Sequence, residues 1–394
     1  MNTLKQIGAV TVAALQAIPR RLGSSLVVVI GTATTVAVLT SALAVAAGFT
    51  RAAAQSGNPD RAIVLEGLNE ASSGISRANV ATILDAPGVA HTATGRPIAS
   101  AETLRDIPLT NFKTGEDAYI TVRGVGPEAL VLRPETQLVA GRLFEPGRRE
   151  AIIGRAVEER LGGPSIGSSI TLPDGDWKVV GIFSSGGGSH ESEILTDASS
   201  LMSTYHSSDF NSVTVRLASP QDFPRFSAAL ASDPTLAVKA QREDEYYAAV
   251  SRPISRLLKI TAYSLGCIMA FGAAFGALNT MFSAVRRRRT EIATLRAIGF
   301  GGISVIASVV TEALLLGLVG ALLGALAAGL LLDGARVSTM LSMETFSHIT
   351  FGLEVGPGIV LIGVLFALAI ALVAGVFAAR QAARISIAAG MRES

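Results

Sequence analysis

Residues able to do chemistry are scarce in this sequence, and their spacing does not suit it. A phosphate loop needs a glycine-rich run ending in Lys and then Ser or Thr, so that backbone amides and an ammonium meet the phosphates. The five lysines, Lys5, Lys113, Lys178, Lys239 and Lys259, all lie outside any such run. ATP hydrolysis by that route is not expected of this chain, and no cofactor is assigned to it. Neither a His-Glu-x-x-His zinc helix nor a Gly-x-Ser-x-Gly nucleophile elbow occurs. His190-Glu191 beside Gly186-Gly187-Gly188, with His206 downstream, is a weak candidate for a metal cluster. Its glycines read better as a flexible surface loop, so neither metal nor catalytic residues are assigned. Glu312 stands alone in an apolar stretch, where a carboxylate invites a proton-relay reading. Placed one or two turns from the cytoplasmic end, it is read as structural or positioning. The single cysteine, Cys267, excludes an intrachain disulfide.

The elements that would position these residues are mostly apolar. Of 394 residues, 49% are hydrophobic and 16% charged, against about 25% charged in a soluble domain. Net charge is +2, which gives no nucleic-acid footprint. Four stretches are nearly bare of charge: Leu26 to Phe49, Ile260 to Val285, Ile303 to Leu332 (with Glu312 alone) and Val355 to Ala379. Each exceeds the roughly 20 residues that a helix needs to cross hydrocarbon. The sequence therefore predicts four transmembrane helices: 26–49, 259–285, 303–332 and 357–379. Ala44-Val45-Ala46 has the form of a signal-peptidase site, but the apolar run is too long for a leader, and an uncleaved anchor is expected. Residues 1–25 are a cytoplasmic interfacial segment. Leu4, Ile7, Val10, Val12, Ala14, Leu15 and Ile18 are mostly on one side of a short helix there.

Flanking charge sets the orientation. Residues 1–25 carry Lys5, Arg20 and Arg21 without an acid, and the tail 380–394 carries Arg380, Arg384 and Arg392 against Glu393. Residues 286–302 carry Arg286, Arg287, Arg288, Arg289 and Arg296 against Glu291. The 333–356 loop carries Arg336 against Asp333, Glu344 and Glu354. Both termini and the 286–302 loop are thus predicted to be cytoplasmic. The 50–258 segment and the 333–356 loop are predicted to be extracytoplasmic. Short β-branched runs in the large segment predict strands at Arg61–Glu66, Ala118–Arg123, Ala151–Gly154, Ser169–Leu172, Trp177–Phe183 and Ser212–Leu217. Ser76–Leu84 and Ser219–Leu230 open with serine caps and predict helices. The fold class is therefore a membrane protein of four transmembrane α-helices, with a large α+β extracytoplasmic domain inserted between the first and second. Arg242–Lys259 predicts a charged stalk helix entering the second span, with Pro253 a candidate kink.

The 286–302 loop is the most informative segment. Thr290 to Ile298 predicts a short helix that Gly299 ends. Ile292, Leu295 and Ile298 recur at spacing three, and an apolar face on a cytoplasmic helix needs a protein partner. Arg286 to Arg289 are topogenic. In the spans, small residues recur at spacing four: Gly317, Gly320 and Gly324 in the third (spacing three, then four), Gly363, Ala367, Ala371 and Gly375 in the fourth, and Gly272 and Gly276 in the second. Such spacing lets helix backbones approach closely in lipid.

One span, a large outside segment and three more spans resemble the MacB/FtsX-like permeases of ABC transporters, which include macrolide-exporter, lipoprotein-release and cell-division members. The segment from Arg286 to Phe300 is similar to the family's cytoplasmic coupling motif. Glu312 to Gly317 with Gly320 and Gly324 is similar to its third-span pattern. Gly141 to Phe144, Glu150 to Gly154, Ile166-Gly167 with Ile170 to Leu172, and Val179 to Ile182 match its outside domain in order. The tail Ala379 to Arg384 departs from it in lacking a proline.

The resemblance implies a permease subunit of an ATP-driven exporter or extractor in the inner membrane, not itself an enzyme. Two copies, or one copy and a paralogue, would pair with separate cytoplasmic ABC ATPase subunits that hold ATP and Mg. A periplasmic adaptor is a further possible partner, and the lipid bilayer surrounds the spans. Glu291, Ile292, Leu295, Arg296, Ile298 and Gly299 would couple to the ATPase. The cargo would be a lipid, lipoprotein, peptide or hydrophobic drug. The alternative is a division-type signalling permease that activates an outside partner without transport. The 208 residues of the outside segment from 51 to 258 favour export. The outside domain would split into a membrane-proximal part (59–100 with 208–241) and a distal part (101–207).

Overall fold

The computed structural model describes residues 22–383, apart from 112–113, 163, 288, 298–300, 333 and 341–347. The interfacial segment 1–21 and the tail beyond 383 lie outside the described residues. Ten α-helices are described: α1 (Leu22–Gln55), α2 (Arg77–Leu84), α3 (Ala129–Leu132), α4 (Arg155–Leu161), α5 (Ala198–Thr204), α6 (Phe223–Ser232), α7 (Glu243–Arg287), α8 (Arg289–Ala297), α9 (Gly302–Leu332) and α10 (Pro357–Ala383). The strands are β1 (Arg61–Leu65), β2 (Ala99–Thr110), β3 (Asp117–Val125), β4 (Gln137–Gly141), β5 (Glu150–Gly154), β6 (Ser169–Leu172), β7 (Gly175–Ser184), β8 (Glu193–Asp197), β9 (Ser212–Arg216), β10 (Lys239–Arg242), β11 (Arg336–Met340) and β12 (His348–Gly352).

The chain divides into two compact units. The helical unit holds residues up to Ala47, Leu257–Ala335 and those from Leu353 onward; the sheet unit holds Gly48–Arg256 and Arg336–Gly352. The boundary falls inside both α1 and α7.

In the helical unit, α1, α7, α9 and α10 are long and apolar enough to cross a membrane. An apolar surrounding leaves no water for a buried hydroxyl, so each must bond within the chain. Thr32, Thr35 and Thr40 do so on α1, donating to Val28 O at 2.8 Å, Gly31 O at 2.8 Å and Val36 O at 2.7 Å. α7 is one unbroken helix of 45 residues with Pro253 inside it. The expected kink does not interrupt the helix.

In the sheet unit, strands run in the order β10-β1-β9-β2-β3-β8-β5-β7-β4, with β6 on β7. The twelve-residue β2 joins two halves. Its first residues, Ala99 to Glu102, pair with β9, and Thr103 to Thr110 pair with β3. Two cores follow. One packs Ile75, Ile83, Val213, Val215 and Phe226; the other packs Ile120, Ile153, Val179, Leu201 and Trp177. All six expected strands are present. The sequence reading did not include β2, β4, β8, β10 or the β11–β12 hairpin. Ser76 caps α2 by accepting from Asn79 N at 3.2 Å. Ser219 caps a 3₁₀ turn, Pro220–Asp222, that leads into α6.

Candidate functional site

Two arrangements stand out, one in each unit. In the helical unit, α1, α9 and α10 meet through small residues. A Cβ added at Gly320 would strike Thr32 Oγ1 and lie 2.7 Å from Val29 O. One at Gly324 would strike Ala33 O and lie 3.0 Å from Ala33 C. At Gly317 the obstacle is Ala371 Cβ at 2.7 Å, at Gly363 Thr40 Cγ2 at 2.8 Å, and at Gly375 Ala313 Cβ at 2.9 Å. Real Cβ atoms do not approach that closely, so these five glycines permit backbone contact. Gly272 and Gly276 meet no neighbour among the described residues of this chain: nothing lies within 4 Å of a Cβ added at either. They sit on α7, the least buried of the four long helices.

Glu312 also departs from expectation. It lies ten residues into α9, nearly three turns, and is buried, as are Ser308 and Ser304 on its face one and two turns earlier. It stands further from the start of α9 than the one or two turns read from the sequence.

The 286–302 segment is described in part. Arg286 and Arg287 are exposed at the end of α7. Arg289 opens α8, Glu291 is exposed on it and Ala293 is buried. Ile292, Leu295 and Arg296 lie on α8, but their side chains are outside the described residues, as are Arg288, Ile298 and Gly299 entirely.

The sheet unit holds a buried ionic network that the sequence reading missed. Arg123 on β3 grips Glu193 on β8 with two bonds, Nε to Oε2 at 2.7 Å and Nη2 to Oε1 at 2.8 Å. Its Nη1 reaches Glu70 Oε1 and Glu102 Oε2, each at 2.8 Å. Arg133 Nη1 meets Glu102 Oε1 at 2.5 Å, and its Nη2 lies 3.5 Å from Glu243 Oε1. Arg61 on β1 holds Glu243 Oε2 at 2.5 Å and Glu135 Oε1 at 2.7 Å. Glu243 opens α7 and is completely buried. Three guanidiniums and four carboxylates, from Glu70, Glu102, Glu193 and Glu243, are thus shielded from water. Such groups need pairing and hydrogen bonds, which the guanidiniums and carboxylates supply to one another here, Arg133 Nε excepted.

The electrostatics follow the geometry. Burial pushes the Glu102 carboxyl up, but Arg133 and Arg123 outweigh it and hold the group at about 2. Burial acts likewise on Glu193, and Arg123 and His190 hold it well below the ordinary carboxylate range. The network's partners are far apart in sequence, and a single chain carries no signal of such pairing.

His190-Glu191 corrects a further expectation. Both residues are buried in the 3₁₀ turn Ser189–Ser192, not in a flexible surface loop. Glu191 Oε2 accepts from Gly187 N at 2.8 Å and Ser185 N at 3.0 Å, which fixes the glycine run. His190 Nδ1 lies 3.0 Å from Glu193 Oε2 and its Nε2 3.3 Å from Tyr247 OH. His206 is exposed. Among the described residues, no group of three or more His, Cys, Asp or Glu side chains is arranged to hold a metal ion.

Four helices long and apolar enough to cross a membrane, joined to a large α+β unit, define the class of this chain. Comparison with known families agrees. The profile described as the MacB-like periplasmic core domain matches residues 24–233, and that of the FtsX-like permease C-terminal matches residues 263–387. The chain belongs to the MacB/FtsX-like family of ABC permeases. Among solved structures, it is similar to the extracellular domain of the noncanonic ABC-type transporter YknZ from Gram-positive bacteria. Identity is 16% and the TM-score 0.36, over 46% of this chain and 99% of that one. It is also similar to the periplasmic region of MacB from Actinobacillus actinomycetemcomitans, at 12% identity and a TM-score of 0.37, over 48% and 92% of the two chains. No curated protein matches the chain.

Proposed function

We propose that this chain is the permease subunit of an ATP-driven ABC exporter or extractor in the inner membrane, turning the motion of a partner ATPase into movement of its extracytoplasmic domain. Its cargo is a lipid, lipoprotein, peptide or hydrophobic drug. The observation that carries this reading is α7. One helix of 45 residues begins at the buried, doubly paired Glu243 and ends at Arg286 and Arg287. At 1.5 Å per residue it is about 67 Å long. A helix anchored at one end by Arg61 and Arg133 cannot shift there without disturbing the sheet. The family supplies the other half, since its permeases work with cytoplasmic ATPases. A second permease copy or a paralogue completes the assembly, and a periplasmic adaptor is a further partner.

In this proposal α8 is the ATPase contact. Ile292, Leu295 and Ile298 enter a groove on the ATPase, with Glu291 and Arg296 at its rim. Burying a Leu-sized side chain stabilises by roughly 1.5–3 kcal/mol, and a carboxylate in its place adds a desolvation cost. Leu295→Asp should weaken recovery of the cognate ATPase in co-purification by more than about tenfold, at unchanged permease expression, and abolish transport. Normal ATPase recovery and transport with that variant would overturn the coupling assignment. A division-type signalling role would instead show ATPase recovery by the wild-type chain with no cargo moved.

A further inference from the structure

The sheet unit receives the chain at three places: the end of α1 from Gly48, the start of α7 up to Arg256, and the hairpin β11–β12. All three converge on the 3₁₀ turn Ser189–Ser192. From the α1 side, Ser189 N–H donates to Ser56 Oγ at 2.7 Å. A Cβ added at Gly188 would lie 3.2 Å from Gln55 O and 3.3 Å from Ser56 Cα, so the turn lies directly on the helix end. From α7, Tyr247 OH meets His190 Nε2 at 3.3 Å, with the two rings edge to face at 5.8 Å. From β12, Thr350 N–H donates to Ser192 Oγ at 3.0 Å.

The hairpin is held at further points. Phe351 is buried and packs edge to face on Phe49 of α1, centroids 6.0 Å apart. Gly48 leaves room for that ring: a Cβ there would lie 2.8 Å from Phe351 Cδ2. Arg336 on β11 pairs with Glu159 on α4. Directly after the turn comes β8, an interior strand between β3 and β5. Its first residue, Glu193, is gripped by Arg123 and lies against His190. A close-packed, hydrogen-bonded junction passes displacement on, since interiors are dense and little compressible.

We propose that Ser189–Ser192 is a three-way joint, and that the paired strands β11 and β12, which lie between α9 and α10 in the chain, are a second control arm acting on β8 beside the α7 stalk. This rests on the transmission reading above and adds to it an input that enters through the third and fourth spans. Ser192 and Phe351 are its positioning residues. The arm is selective because it reaches the distal half of the sheet through β8, whereas β1 and β9 belong to the other half.

The test is amide hydrogen exchange on the full chain with its cognate ATPase, for wild type, Ser192→Ala and Phe351→Ala. Without nucleotide, exchange over 187–193 should quicken more than about tenfold in Phe351→Ala and several-fold in Ser192→Ala, with 61–66 unchanged. On adding ATP, the wild type should change exchange at both 243–256 and 187–193. In both variants the 187–193 response should be lost while that at 243–256 remains. Wild-type exchange over 187–193 in both variants, or a persisting ATP response there, would overturn the joint. Should Phe351→Ala unfold, as read by the single tryptophan, Trp177, Ser192→Ala alone decides. If the wild type shows no ATP response at 243–256, the transmission reading fails, and the nucleotide-free comparison then decides whether the joint exists.

Discussion

Arg123 stands at the centre of the buried ionic network in the sheet unit. Its guanidinium satisfies Glu193, Glu70 and Glu102 at once. Removing one partner of a buried ion pair costs about 3–5 kcal/mol, because the remaining charge is left uncompensated. Arg123→Met should therefore destabilise the sheet unit by about that amount, read in the full chain from the fluorescence of Trp177, which is fully buried in the core it shares with Ile120, Ile153 and Val179. A parent-like denaturation midpoint would refute it. The same network sets an acid limit. Glu102 is held at about 2 against an ordinary 4.5, and Glu193 is also depressed. A carboxyl whose folded pKa is lowered contributes stability that is present above the unfolded value and lost as pH falls through the folded one. Stability should hold from neutral pH down to about 5 and fall between about 4.5 and 2. Arg123→Met should make that fall shallower, chiefly through Glu193, which loses its main depressing partner, while Arg133 still holds Glu102 down. None of this was legible in the sequence. Arg123 ends a strand that alternation identifies, but nothing local says that Glu193, 70 residues on, is its partner.

Among the elements, legibility follows physics in both directions. The apolar lengths of α1, α7, α9 and α10 read directly, because a long helix satisfies its backbone within one continuous segment without water. Strands with β-branched runs read equally well. β2 did not, since Glu102, Arg105, Asp106 and Pro108 interrupt its alternation; two of its charges are explained by Arg123 and Thr121, which take Glu102 and Asp106 respectively. The small-residue faces of α9 and α10 meet neighbours within this chain and that of α7 meets none among the described residues, because spacing marks a face able to pack without saying whether a neighbour is there. That contrast is a prediction. Gly324→Val places two methyl groups against the carbonyl of Ala33, and overpacking costs about 1–3 kcal/mol. Gly272→Val meets open space. In detergent the first should lower the melting temperature of the full chain by several degrees and the second should leave it unchanged; equal effects would refute the packing of α9 on α1.

At the scale of the whole molecule, the orientation of the chain decides whether the sheet unit meets the extracytoplasmic side at all. The argument is one of charge. The 286–302 loop carries five arginines against Glu291, whereas the 333–356 loop carries Arg336 against three acids. Short loops obey this bias and long ones translocate largely regardless of charge, so the arginines within the sheet unit do not oppose it. An arginine carried to the centre of a bilayer costs about 2.5–3.5 kcal/mol on the insertion scale, and the consecutive run Arg286 to Arg289 multiplies the barrier to inverting α7. Exposed positions make this testable without fusing a reporter near the buried turn at Ser189. In a Cys267→Ala background, Glu116→Cys in the sheet unit and Glu354→Cys before α10 are both exposed, as is Thr290→Cys on α8. A membrane-impermeant maleimide added to intact spheroplasts should label the first two at once and Thr290→Cys only after permeabilisation. Immediate labelling of Thr290→Cys, with Glu116→Cys protected, would place the sheet unit in the cytoplasm. It would then remove the extracytoplasmic domain from any part in export.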